Sequence, residues 1–132
     1  MRIALFGAGR IGPLHTRTLL DTGVVEGSTV MDIVPERAAA AARKLGGTAV
    51  TTVAGALQAA DAVVITASTD EHPDLIREAI AKGLPTFCDK PLAASLDDSI
   101  AVRADIEALR IAEALTVSAR EHRLVRLTEI PS

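Results

Sequence analysis

The chain has 132 residues, enough to bury a core of its own, and its net charge of −3 with no basic run argues against nucleic acid as the main partner. Hydrophobic residues make up 48% but aromatics only 2%, so the core must be built from Ala, Val, Leu and Ile, as in a parallel sheet buried by helices on both faces. One cysteine excludes a disulfide framework, no apolar run is long enough to span a membrane, and Met1-Arg2 leads straight into a glycine turn; together these predict a soluble cytoplasmic domain.

Residues 2–6 read as a first strand, and a helix over 11–22 follows. Pro13 falls in that helix's first turn, where a missing N–H costs nothing, and Gly23 is its stop. A second strand at 28–32 ends on Asp32. Pro35 opens an Ala-rich helix, 35–45, closed by Gly46-Gly47. A short strand at 48–51 and a helical turn at 53–59 lead to a fully apolar strand, Ala62 to Thr66. His72-Pro73 starts a helix that Gly83 ends, and Leu84 to Cys88 forms a fifth strand, expected to be buried. This alternation is the signature of a doubly wound parallel sheet, a Rossmann-type α/β fold in a single domain.

From Ser95 the character changes. Ser95 is a good N-cap with Asp97 and Asp98 in the first turn, and no Pro or Gly follows until Pro131. Residues 96–121 are therefore expected to be helical. The apolar positions do not hold one phase: Leu96 and Ile100 define one line, Ile106 and Leu109 another, and Ile111 and Leu115 lie beside the latter. The drift predicts a bend, or two helices run together, unless this is a plain long helix. Residues 124–127 alternate like a short, half-exposed strand.

The chemistry concentrates at the first turn. Gly7, Gly9 and Gly12 have the spacing G-x-G-x-x-G between strand and helix, and Asp32 stands twenty residues beyond Gly12. Gly7 permits the tight turn, Gly9 lets backbone approach a pyrophosphate, and Gly12 lets the helix lie close on the strand. Phosphates would sit at the helix N-terminus, on backbone N–H groups that include those of Arg10 and Ile11. Asp32 would accept hydrogen bonds from the adenosine ribose. Its carboxylate would repel a 2′-phosphate, and Ile33 and Val34 offer no compensating charge, so NAD is preferred over NADP. Arg37 is placed to reach a 2′-phosphate, to stack on adenine, or to stay in solvent.

Asp89-Lys90-Pro91 follows the fifth strand at the carboxyl edge of the sheet, where ligands of open α/β folds bind. Lys90 there would polarise a substrate oxygen or carry its proton during hydride transfer; otherwise it is a solvated loop lysine. His15 reads as a packing histidine, and His72 as either structural or a cofactor contact. Cys88 reads as a buried, inert thiol. No spacing suggests a metal site or a nucleophile–base pair.

Together these residues resemble the Gfo/Idh/MocA oxidoreductases, the family of glucose–fructose oxidoreductase and inositol 2-dehydrogenase. The resemblance runs over about 1–100. It rests on Gly7-Ala8-Gly9-Arg10-Ile11-Gly12 with His15, on Asp32 to Ala38, on Ala67-Ser68-Thr69 with His72, and on Asp89-Lys90-Pro91-Leu92-Ala93. It implies an NAD-dependent dehydrogenase of a sugar or cyclitol hydroxyl, with Lys90 catalytic and Ala67, Ser68, Thr69, His72, Asp89 and Lys90 on the nicotinamide side. Asp89 replaces the family's usual glutamate, and Ser68-Thr69 its usual proline and asparagine. The family completes its catalytic set with an Asp-x-x-x-His pair in a second domain. No such pair follows Lys90, where the only histidine is His122, four residues after Ser118. Residues 104–114 and 125–127 are similar to the terminal helix and tail of full-length members, which predicts a join near 101–105 with the substrate domain excised. The expected organisation is a dinucleotide-binding domain over 1–100 with a C-terminal helix and tail over 101–132 packed on it. That implies a cofactor-binding but catalytically incomplete chain. Two other readings share the first glycine turn: an NAD-sensing regulatory module, and a structural module, monomeric or a homodimer exchanging its terminal helix.

Overall fold

A computed structural model describes residues 1–121, 123 and 125–129. Strands β1 (Arg2–Phe6), β2 (Gly27–Met31), β3 (Thr48–Ala49), β4 (Ala62–Ile65) and β5 (Thr86–Cys88) form one parallel sheet in the order β3-β2-β1-β4-β5. Helices α1 (Gly12–Asp21), α2 (Pro35–Leu45), α3 (Val53–Leu57), α4 (His72–Ala81) and α5 (Leu96–Glu121) make up the rest of the regular structure, with 3-10 turns at Thr69–Glu71 and Leu127–Glu129. The strand order reverses between β1 and β4, the switch point at which such sheets bind ligands.

Both faces of the sheet are covered, and the two-residue period of a strand divides the core accordingly. Ile3, Leu5, Val30 and Val64 point to one face, against Ala38, Ala41, Ala42 and Leu45 of α2. Ala4, Phe6, Val63 and Ile65 point to the other, against Ala56 and Leu57 of α3, Leu75, Ile76 and Ala79 of α4, and Val102 of α5. The alanines of α2 replace the missing aromatic bulk by letting the helix lie close to the sheet. That helix begins at Pro35, carries Glu36 in its first turn and Arg43 and Lys44 in its last, and ends at Gly46, each choice matching the helix dipole or its cap.

The expected elements are present, several of them shorter than the sequence suggests. Two expectations are corrected. β5 is not buried: it forms the rim of the sheet, Thr86 and Phe87 are exposed, and Cys88 is half-buried. No strand forms at 125–127; Val125 and Arg126 lack regular structure and a 3-10 turn starts at Leu127, while Leu124, like His122, lies outside the described residues. By contrast, α5 runs unbroken through 101–105, which suits a plain long helix and two helices run together alike. Its apolar residues form two stripes: Val102 and Ile106 face the core, and Leu96, Ile100, Ile111 and Leu115 are exposed. The side chain of Leu109 lies outside the described residues.

α5 starts as its sequence predicts. The Ser95 hydroxyl accepts from the Asp98 N–H at 3.0 Å and donates to Asp98 Oδ2 at 2.6 Å. Arg77 of α4 ties the helix down, donating to Asp105 Oδ2 at 2.9 Å and to Asp74 Oδ1 at 3.2 Å; both carboxylates raise its pKa further above the usual arginine value, Asp105 most.

Candidate functional site

The site grows out of the β1–α1 turn. Gly7 has φ +93°, a left-handed conformation that disfavours any side chain, and a Cβ there would run into the Thr66–Ala67 peptide. A Cβ on Gly12 would strike the Gly7 carbonyl oxygen and the Thr66 hydroxyl. Gly9 is different in kind: a Cβ there would meet nothing within 4 Å. Two of the three glycines are therefore demanded by the protein's own packing, whereas Gly9 borders open space.

Three contacts fix the turn from neighbouring strands. The Gly7 N–H donates to the Met31 carbonyl at 2.9 Å. The Thr66 hydroxyl, just past β4, donates to the Gly7 carbonyl at 2.9 Å. Asp32, just past β2, accepts from the Ala8 N–H through Oδ2 at 2.7 Å and from the Val34 N–H through Oδ1 at 2.8 Å. One carboxylate thus holds both the glycine turn and the entry to α2, while each oxygen keeps a lone pair for another donor.

A cleft of about 290 Å³ lies over this turn, lined by Phe6, Gly7, Gly9, Met31, Asp32, Ile33, Arg37, Val53, Thr66, Ala67, Ser68, Glu71 and Leu75. It is close in size to small-molecule pockets, mostly apolar with few polar groups. Of the residues singled out from sequence, Gly7, Gly9, Asp32, Ile33, Arg37, Ala67 and Ser68 line it. Gly12 is buried beneath it, and Arg10, Ile11 and Thr69 are outside its wall. Phe6, Met31, Val53, Thr66, Glu71 and Leu75 were missed. Thr66 could have been found as the one hydroxyl ending an otherwise apolar strand.

The second expected cluster is organised by a histidine. His72 is 2% exposed, and its ring lies between two carbonyl oxygens, Pro91 O at 2.8 Å from Nδ1 and Ala67 O at 3.1 Å from Nε2. It sits under the cleft rather than in it, joining the segment after β4 to the segment after β5. A neutral imidazole has one N–H to give, and the shorter contact favours Pro91 as its acceptor. Asp89 donates its N–H to Ile65 O at 2.9 Å, and its Oδ1 accepts the Lys90 N–H at 2.9 Å. The Lys90–Pro91 peptide is cis, and Lys90 is exposed. Lys90 stands at the carboxyl edge, two strands from the glycine turn, about 10 Å at the usual strand spacing. Burial, with a smaller effect from the neighbouring Asp89 carboxylate, pushes the Cys88 thiol up from 9.0 to about 11. His15 packs edge-on against Phe87, with ring centroids 5.2 Å apart.

Among the described residues no three His, Cys, Asp or Glu side chains gather as a metal site, and no helix is long and apolar enough to cross a membrane.

Residues 1–116 match the model of an oxidoreductase family described by its NAD-binding Rossmann fold, GFO_IDH_MocA. Inositol 2-dehydrogenase 3 of Saccharopolyspora erythraea is 36% identical over 132 residues, covering 96% of this chain and 35% of its own length. Myo-inositol dehydrogenase Hyg17 of Streptomyces leeuwenhoekii is 36% identical over 98 residues, 73% of this chain and 30% of its own. The crystal structure of a myo-inositol dehydrogenase from Corynebacterium glutamicum superposes with a TM-score of 0.76 at 32% identity, over 83% of this chain and 34% of that one. The chain therefore spans about a third of the length of the relatives it matches. With the glycine turn, the acidic residue after β2 and the Asp89-Lys90-Pro91 segment in their places, the chain belongs to the Gfo/Idh/MocA oxidoreductases and corresponds to their NAD-binding Rossmann domain.

Proposed function

We propose that the chain holds NAD(H) in the cleft over the glycine turn, with NAD preferred over NADP, and that by itself it turns over no substrate. Asp32 is the observation that carries this reading. Its carboxylate lines the cleft while its backbone partners hold it in place, so it offers ribose hydroxyls two oriented acceptors. The same charge repels a 2′-phosphate, whose own two negative charges would stand beside it in a partly desolvated wall. Exposed Arg37 shares the cleft and presents a planar cation to an adenine ring. The open side of Gly9 and the start of α1 suit the pyrophosphate.

Bound NAD would supply the hydride acceptor. Lys90 is the residue of this chain suited to hold or move a hydroxyl proton. A lysine alone does not orient a substrate, and no Asp-x-x-x-His pair follows it in the sequence. The parent activity we assign is oxidation of a cyclitol or sugar hydroxyl, as in relatives named for inositol dehydrogenation. In this reading the two segments meeting near 101–105 come from a longer dehydrogenase whose substrate domain lay between them. A titration of the chain with NADH and NADPH, followed by nicotinamide fluorescence or heat, tests the proposal. NADH should bind at least about tenfold more tightly, a difference of about 1.4 kcal/mol. Equal affinities would remove the assigned role of Asp32, no binding would remove the site, and reduction of NAD with myo-inositol at ordinary enzymatic rates would refute the claim of incompleteness.

A further inference from the structure

Helix α5 has one apolar stripe turned inward and one turned to solvent. In the outer stripe Leu96, Ile100, Ile111 and Leu115 are 75%, 58%, 48% and 67% exposed. At 3.6 residues per turn, all four fall within an arc of about 100°. Single exposed apolar residues are ordinary, but four on one arc of one helix are a face.

The face is symmetric along its length. Leu96 and Leu115 are equally far from the peptide between Asp105 and Ile106, and so are Ile100 and Ile111. A two-fold axis through that point lays a second α5 antiparallel on the first. Leucine then meets leucine at both ends and isoleucine meets isoleucine inside them, bracketing a contact of about 28 Å at the rise of an α-helix. An isologous interface needs this self-complementarity.

The flanks agree with the same axis. Arg103 and Glu107 border the stripe on one side, and the axis brings Arg103 of one copy within about one residue of Glu107 of the other along the helix. Glu107, which also accepts from Arg110 of its own helix at 3.1 Å, would then share its charge with Arg103 of the other copy. The other flank is Ala104 and Ala108, both exposed and small enough to let two helices come close.

We infer that this face of α5 binds a second copy of the chain, forming a homodimer through an antiparallel, two-fold-related helix pair. The contact lies apart from the glycine-turn cleft and does not depend on what that cleft holds.

Sedimentation velocity of the full chain across a wide concentration range should show a monomer–dimer equilibrium. Ile111→Glu, at an exposed site, should weaken the dimer about a hundredfold, about tenfold at each of its two symmetric occurrences, and leave thermal unfolding of the monomer and NADH affinity unchanged. Register is read by disulfide trapping in a Cys88→Ala background. Copies carrying Ile100→Cys mixed with copies carrying Ile111→Cys should give the mixed dimer in excess of either like pair. A monomer at every concentration, a dimer indifferent to Ile111→Glu, or an excess of like pairs would each overturn the inference. Failure to bind NADH alongside a dimer of this register would count against the proposed function alone.

Discussion

Asp32→Asn separates the structural work of this carboxylate from its assigned work as a ribose acceptor. Its two oxygens accept two backbone N–H groups, at 2.7 and 2.8 Å. Asparagine keeps one acceptor and replaces the other by an NH₂ that faces an N–H, donor against donor. A charge-assisted hydrogen bond is worth about 1.5–3 kcal/mol, and the site is half-buried, so we take the lower half of that range, about 2 kcal/mol. For a chain of this size that is a fall in Tm of about 8 °C, measured without any nucleotide. NADH affinity should fall as well, by about ten- to a hundredfold, and selectivity against NADPH should shrink because a neutral amide repels a 2′-phosphate less. An unliganded Tm within about 2 °C of the unsubstituted chain would refute the claim that Asp32 braces the glycine turn. Unchanged selectivity would refute the electrostatic argument for NAD.

Three further outcomes are expected. Gly9→Ala should fold with near-normal stability but lose NADH binding, because its Cβ projects into open space, whereas Gly12→Ala should lose about 3 kcal/mol or more, because its Cβ meets a backbone carbonyl and a hydrogen-bonded hydroxyl; paired denaturant melts and titrations distinguish them. His72→Ala should lose about 2–4 kcal/mol in a urea melt, combining a buried cavity with a broken tie to the Pro91 carbonyl, and amide exchange at Asp89 should quicken. Cys88 should alkylate about a hundredfold more slowly near neutral pH than a free thiol. Because the fold holds that proton more tightly, this group's contribution to stability is complete below pH 9.0 and is lost as the pH rises toward about 11, which pH-dependent unfolding of the chain and of Cys88→Ala would reveal.

The parts of this fold legible in sequence are those that local chemistry decides. Glycine and proline punctuate the chain so clearly that α2 has the bounds its sequence predicts, from Pro35 to Leu45. The glycine turn and Asp32 were legible for the same reason, since the spacing that closes the cleft is short-range in sequence. What escaped depends on distant partners. Leu84 to Cys88 reads as a buried strand by composition, but composition does not say that, among the described residues, nothing pairs on its far side. The stripes of α5 drift in sequence because one of them faces no partner among the described residues. His72 reads in sequence as either structural or a cofactor contact, because its two carbonyl partners, Ala67 and Pro91, lie 5 and 19 residues away and meet only in three dimensions.

The rim strand has a consequence for how this protein behaves at high concentration. In β5 alternate peptide groups bond to β4, through pairs such as Val63 N–H to Pro85 O and Asp89 N–H to Ile65 O, and the others look outward. An open edge bearing a half-exposed phenylalanine is a template on which a foreign strand can grow. Length is its protection: at three residues β5 offers too few outward groups to nucleate a stable ladder, and Pro85, with no N–H to offer, stands just before it. A substitution that lengthened this strand by even two residues would convert a tolerated edge into a seed for ordered aggregation, at no loss to the fold itself.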